Sequence, residues 1–278
     1  MKNTTPVFGN TVVVLILLLV CSGCGSQGPN DANPVLVSVS PDYAAAVPGE
    51  SLTLVWRFAL AENWHLYWTG LNDSGFAPTI DLEMPEGWIA GGLHWPAPVR
   101  YLSEGDILDH VYHGELVLLQ KVGVPAGAPT SGSVTLMAKV EWLACKTSCV
   151  PGKATVSVKV PLNDHHTGPR SEESTNALQN LPLPLPAGLL NPHWTGQKFH
   201  FEGIEGGQLS FMPTVDCGKL VNLIRDGQGP SLALRFVAEG GTVGPVRGLV
   251  TVKERDGSVR AYVADFPALL LQPEPAGG

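Results

Sequence analysis

Short runs of alternating apolar and polar residues, each soon closed by Gly, Pro, Asn or Asp, fill most of this chain and leave no room for long helices. Val35-Leu36-Val37-Ser38-Val39, Leu52 to Phe58 (LTLVWRF), Leu116 to Leu119, Val134 to Trp142 and Ala154 to Val160 (ATVSVKV) all read this way. Side chains on a strand alternate between two faces, so each run gathers its apolar set on one face and needs a second apolar layer to cover it. Glycine (32) and proline (24) make up about a fifth of the 278 residues, against roughly 12% in ordinary usage. Hydrophobic residues nevertheless reach 44%, enough for a packed core, so the excess marks turns rather than disorder. About seven to nine strands over residues 35–162 predict an all-β architecture, an immunoglobulin-like antiparallel β-sandwich.

The pattern breaks at residues 163–196. Asn163-Asp164-His165-His166 is followed by Ser171-Glu172-Glu173-Ser174, which starts a short helix ending near Asn180, and then by Leu181-Pro-Leu-Pro-Leu-Pro186. Proline at alternate positions favours polyproline geometry and excludes a central strand, so this stretch is a linker. Strand-like runs resume at Lys198 to Phe201, Leu209 to Met212, Leu232 to Val237, Val246 to Lys253 and Val259 to Val263. Residues 197–278 are therefore expected to form a second, smaller β-sandwich domain, with no repeat relating it to the first.

The amino terminus sets the compartment. Met1-Lys2 precedes the apolar run Val12 to Val20, which is too short to cross a bilayer. Cys21-Ser22-Gly23-Cys24 comes next, and this resembles a bacterial lipoprotein signal in which Ser22 and Gly23 are the small residues before an acylated Cys24; Cys21 stands where such signals usually carry Leu. The expectation is a signal peptide over 1–23, lipidation at Cys24, a tether over 24–34, and a mature chain in the cell envelope, where disulfides persist. Gly25 in place of Asp favours the outer membrane. With 17 Lys and Arg against 25 Asp and Glu, the chain is not built for a phosphate backbone, and no nucleic-acid partner is expected.

Cys145 and Cys149 lie in Trp142-Leu143-Ala144-Cys145-Lys146-Thr147-Ser148-Cys149-Val150-Pro151-Gly152. On one extended strand they would stand ~13 Å apart, and a disulfide needs Cα atoms within ~7 Å. If they pair, the chain must turn through Lys146-Thr147-Ser148, at the tip of a hairpin. Closing so small a loop stabilises by only about 2 kcal/mol. Such a bond is a weak staple, and Lys146 beside it favours a thiolate, so it suits being made and broken. A fixed local bridge is the alternative.

An ordered series of motifs bears on that choice: Trp64-His65-Leu66-Tyr67-Trp68, Asn72-Asp73-Ser74-Gly75, Leu82-x-Met84-Pro85-Glu86-Gly87-Trp88, Leu93-His94-Trp95-Pro96-x-Pro98, Gly114-Glu115, and Trp142-Leu143-x-Cys145-x3-Cys149-x-Pro151-Gly152. Over residues 35 to 162 the chain resembles the amino-terminal periplasmic domain of the DsbD/ScsB type of thiol:disulfide interchange protein. The second half resembles the segment that succeeds this domain in the family, through Phe211-Met212-Pro213, Val246-Arg247-Gly248-Leu249-Val250 and Arg260-Ala261-Tyr262. The resemblance implies that Cys145 and Cys149 shuttle a disulfide, and Lys146, next to Cys145, points to Cys145 as the attacking residue. It further implies that Tyr67 to Phe76 shields the pair through Tyr67 or Phe76, and that Asp73 assists proton transfer unless it serves only the turn. Family members continue into membrane and thioredoxin-like domains that this sequence lacks, so a separate thioredoxin-like or DsbD-type membrane reductase is expected as electron donor, and periplasmic disulfide proteins as clients. No cofactor is expected.

A non-catalytic envelope lipoprotein that binds Cu(I) or a protein client is the competing reading, with the pair as a structural bridge or as Cu(I) ligands together with His65 or His113. His110 and His113 form a His-x-x-His whose rings a strand would send to opposite faces, so no metal site is expected there. The seven Trp (56, 64, 68, 88, 95, 142, 194) read as core. Cys217 has no partner if 145 and 149 pair, and reads as a free thiol.

Overall fold

The computed structural model describes residues 28–271. The signal peptide, Cys21 and the lipidation site Cys24 lie outside the described residues. The first ten strands are β1 (Val35–Pro41), β2 (Ser51–Leu60), β3 (His65–Tyr67), β4 (Thr79–Glu83), β5 (Ile89–His94), β6 (Val99–Ser103), β7 (Ile107–His113), β8 (Glu115–Gly123), β9 (Ser133–Cys145) and β10 (Cys149–Pro161). The apolar runs predict fewer, because β4, β5 and β6 are short, half-exposed strands at sheet margins with weak alternation. Two antiparallel sheets face each other. One runs β1-β2-β8-β5; the other runs β10-β9-β3-β7-β6, with β4 also pairing β9.

Period-two alternation decides which residues fill the space between them. Leu52, Leu54, Trp56, Phe58 and Leu60 of β2 share one face with Leu116 and Leu118 of β8, and they meet Leu136, Ala138, Val140, Trp142 and Ala144 of β9 in one core. Trp56 spends its indole N–H on Gln120 Oε1 at 3.1 Å, so this buried donor is satisfied. Helix α1 (Glu172–Gln179) is capped by the Ser171 hydroxyl, which accepts from Ser174 N at 3.2 Å. It lays Ala177 against Val55 and Leu119 and so covers the outer face of the four-stranded sheet.

The remaining elements are β11 (Leu183–Pro184), β12 (His193–Thr195), β13 (Lys198–Phe201), β14 (Gln208–Pro213), α2 (Leu223–Asp226), β15 (Gln228–Gly229), β16 (Leu232–Arg235), β17 (Thr242–Val243), β18 (Val246–Lys253), β19 (Val259–Phe266) and β20 (Leu269–Leu270). The proline-alternating stretch enters a sheet only as β11, a two-residue edge parallel to β19, in keeping with its missing N–H groups. A five-stranded sheet (β11-β19-β18-β14-β15) and a three-stranded one (β12-β13-β16) enclose a second core of Phe199, Phe201, Phe211, Leu234, Phe236 and Val250. The chain is all-β and immunoglobulin-like, with helix confined to α1 and α2 among the described residues.

Contacts tie the two cores together. Met212 and Leu249 pack into the first core. The Arg100 guanidinium of β6 donates to the carbonyls of Phe211 (3.2 Å) and Leu223 (3.1 Å), and its burial pulls its pKa down to about 10. Leu71 N donates to Pro213 O at 2.9 Å. No helix among the described residues is long and apolar enough to cross a membrane.

Candidate active site

The alternation that turns Trp142 and Ala144 into the core turns Leu143 and Cys145 to the opposite face of the same sheet. Neighbouring strands obey the same rule. Leu66 of β3 faces the core while His65 and Tyr67 face outward, and Tyr112 of β7 faces the core while Asp109, Val111 and His113 face outward. Register then fixes who meets whom: His65 lies opposite Cys145 on one side and His113 on the other, and Tyr67 lies opposite Val111. Cys145, Tyr67 and Val111, with Tyr101 and Leu143, form a small apolar cluster on this outer face.

β9 and β10 join through Lys146-Thr147-Ser148, with Lys146 N donating to Ser148 O at 3.1 Å. Cys149 stands opposite Cys145 with Cα atoms 4.1 Å apart, and the two sulfurs are bonded. The pair is asymmetric: Cys145 is 3% exposed, whereas Cys149 is open to solvent. Behind it, Gly152 lies opposite Trp142, and a Cβ on Gly152 would stand 2.4 Å from the indole. The glycine of this Pro-Gly is therefore a packing requirement of the hairpin.

Tyr67 is buried over the sulfurs. Its hydroxyl donates to Cys145 Sγ at 3.0 Å and lies 3.9 Å from Cys149 Sγ. It also lies 3.4 Å from Ser74 Oγ, which donates to Asp109 Oδ2 at 2.6 Å while Ser74 N donates to Asp109 Oδ1 at 3.0 Å. With the Tyr67 proton on Cys145 Sγ and the Ser74 proton on Asp109, Ser74 and the buried Asp109 carboxylate sit beside the Tyr67 hydroxyl. Burial raises the Tyr67 pKa, opposed by the Ser74 hydrogen bond, so the phenol stays protonated as a donor. Gly75 lies flat on the Tyr67 ring, where a Cβ would come within 2.2 Å of it.

The other predicted residues sort themselves by contact. Asp73 uses Oδ2 to accept from Leu108 N at 2.7 Å, anchoring the loop to β7. Phe76 is 58% exposed at the end of that loop. Lys146 does not serve the sulfurs: its ammonium pairs with Asp31 at 3.0 Å, and Asp31 also accepts from the Trp64 indole at 2.7 Å. His110 and His113 do go to opposite faces. His110 Nδ1 meets Leu71 O at 2.6 Å, while the His113 ring sits 5.6 Å from His65. Burial, with His113 nearby, lowers His65 to about 4, so it is neutral beside the disulfide. Among the described residues no group of three or more His, Cys, Asp and Glu is placed to hold a metal. Cys217 is free, and burial pushes its thiol up to about 11, which leaves almost no thiolate. Trp56, Trp64, Trp68 and Trp142 are core residues.

Ser74 and Asp109 are the residues that sequence reading misses. The available signal was the single acid in β7, a strand buried at every position but its ends.

Residues 34–161 match the family described as thiol:disulfide interchange protein DsbD, N-terminal. Comparison with curated protein sequences gives no match. Among solved structures, the N-terminal periplasmic domain of ScsB from Proteus mirabilis superposes with a TM-score of 0.54 at 17% identity, covering 85% of this chain and 94% of that one. The reduced N-terminal domain of DsbD from Neisseria meningitidis aligns at 14% identity over 47% of this chain and 91% of that one, with a TM-score of 0.29. The ScsB likeness carries the fold, and the family match carries the chemistry of the cysteine hairpin. Residues 34–161 form a DsbD-type N-terminal domain.

Proposed function

We propose that this protein relays electrons in the cell envelope through Cys145 and Cys149, between a thioredoxin-like or DsbD-type membrane reductase and periplasmic client disulfides, with a lipid on Cys24 holding it to a membrane. The observation that carries this reading is the asymmetry of the pair: Cys149 exposed to solvent, Cys145 buried against a phenolic donor. A donor thiolate attacks Cys149 Sγ, the Cys145–Cys149 bond breaks, and the electron pair goes to Cys145, where the Tyr67 hydroxyl stabilises the leaving thiolate. The donor's second thiolate then attacks its own mixed disulfide and releases Cys149. Two electrons and two protons have then entered the pair. In the onward direction the Cys149 thiolate attacks a client disulfide and Cys145 resolves the adduct. This assigns the attack to Cys149, in place of Cys145 as the flanking Lys146 suggests. Tyr67 serves as cap and donor, and the Ser74–Asp109 pair, rather than Asp73, lies beside the Tyr67 hydroxyl.

The reduction potential separates a relay from a fixed bridge. Equilibration with glutathione buffers is expected to give a value between about −180 and −270 mV, and a value below about −300 mV would mark a structural disulfide.

A further inference from the structure

We infer that His193 and His200 form a second, non-redox site that binds a divalent transition-metal ion of the imidazole-preferring kind, Zn(II), Ni(II) or Cu(II). The two residues stand directly opposite each other on antiparallel β12 and β13, and opposite residues of such a pair share a face. Their rings are stacked, with centroids 4.9 Å apart and planes within 11°. The alternate residues Trp194 and Phe199 turn inward to the second core, which leaves the histidine pair on the outer face.

Two details point to a ligand rather than to packing alone. His193 Nδ1 lies 2.8 Å from the carbonyl of Asn191. A carbonyl only accepts, so the ring carries its proton on Nδ1 and keeps a lone pair on Nε2, the arrangement by which metal-binding imidazoles are oriented. His200 Nε2 is buried without any hydrogen-bond partner, a costly state for a polar nitrogen unless something takes its lone pair. Glu202, two residues along from His200 and held by Asn191 Nδ2 at 3.0 Å, adds negative charge beside the pair. Two imidazoles with water in the other positions suit these borderline ions. β12 closes the linker and pairs only with β13, so the ion would fasten the end of the linker to the second core.

The inference does not rest on the thiol relay, and its test keeps the two apart. The protein, with its disulfide formed, is titrated with Zn(II) or Ni(II) by calorimetry, and with Cu(II) under electron paramagnetic resonance. One equivalent is expected, with nitrogen hyperfine structure from two imidazoles. His193→Ala and His200→Ala should each weaken binding by about tenfold or more, and added Zn(II) should raise the Tm of the native protein but not of either variant. The Cys145→Ser/Cys149→Ser double variant should bind as the native protein does. No binding, unchanged binding in both histidine variants, or binding that instead depends on the cysteines or His65 would overturn the assignment.

Discussion

At the residue scale, reactivity is set by one hydroxyl. Tyr67 donates to the buried sulfur that must leave as an anion, and a hydrogen bond to a charged group contributes about 1.5–3 kcal/mol. Tyr67→Phe is therefore expected to slow exchange with a dithiol by about tenfold or more and to move the rise of the rate-against-pH profile to higher pH. An unchanged profile would remove Tyr67 from the chemistry. Cys145 and Cys149 were legible as a pair because they stand four residues apart, whereas Tyr67, 78 residues from Cys145, was reached only through the motif series. Ser74 and Asp109 were not, since they are 35 residues apart and meet only through the loop that crosses β7. Lys146 misleads for the same reason: adjacency along the chain placed it beside Cys145, while the fold turns it toward Asp31, 115 residues away.

At the element scale, the β9–β10 hairpin does two jobs with one alternation, filling the core from one face and presenting Cys145 on the other. Its fit depends on Gly152, whose missing Cβ makes room for the Trp142 ring. Gly152→Val is predicted to lower stability by about 1–3 kcal/mol, read as a lower Tm or denaturant midpoint, and to disturb the spacing of the sulfurs at the tip. This hairpin was legible because its strands alternate cleanly over long runs, as was α1, announced by Ser171 and two glutamates in its first turn. β4, β5 and β6 were hidden: marginal strands bury little, so the apolar period that signals a strand is weak there even though backbone pairing carries each of them into a sheet.

At the scale of the whole molecule, the loop over the redox pair is held from both sides. His110 and Asp109 of the first sandwich grip Leu71 and Ser74, and Pro213 of the second core accepts from Leu71 N. Nothing in the sequence connects Pro213 to that loop, because the contact joins two separate cores. The arrangement also sets a pH limit. His65 and His110 are buried, and burial lowers each to about 4 from 6.5. The unfolded chain binds more protons than the folded one between those values, so stability is full above about pH 6.5 and falls as pH drops toward 4. At ~1.4 kcal/mol per pH unit, His110 withdraws roughly 3 kcal/mol across that window, and His65, nearer the solvent, withdraws less. Denaturation measured from pH 7 to pH 4 should show this loss, and His110→Gln should flatten it.

The central claim is that Cys149 meets the partner and Cys145 resolves, and trapping tests it most directly. Cys145→Ser and Cys149→Ser are each incubated with a disulfide-bonded thioredoxin-like protein, and adducts are mapped by mass spectrometry. The account predicts a mixed disulfide at Cys149 that accumulates in Cys145→Ser, with little adduct in Cys149→Ser. An adduct at Cys145 alone, or none with either variant, would contradict it.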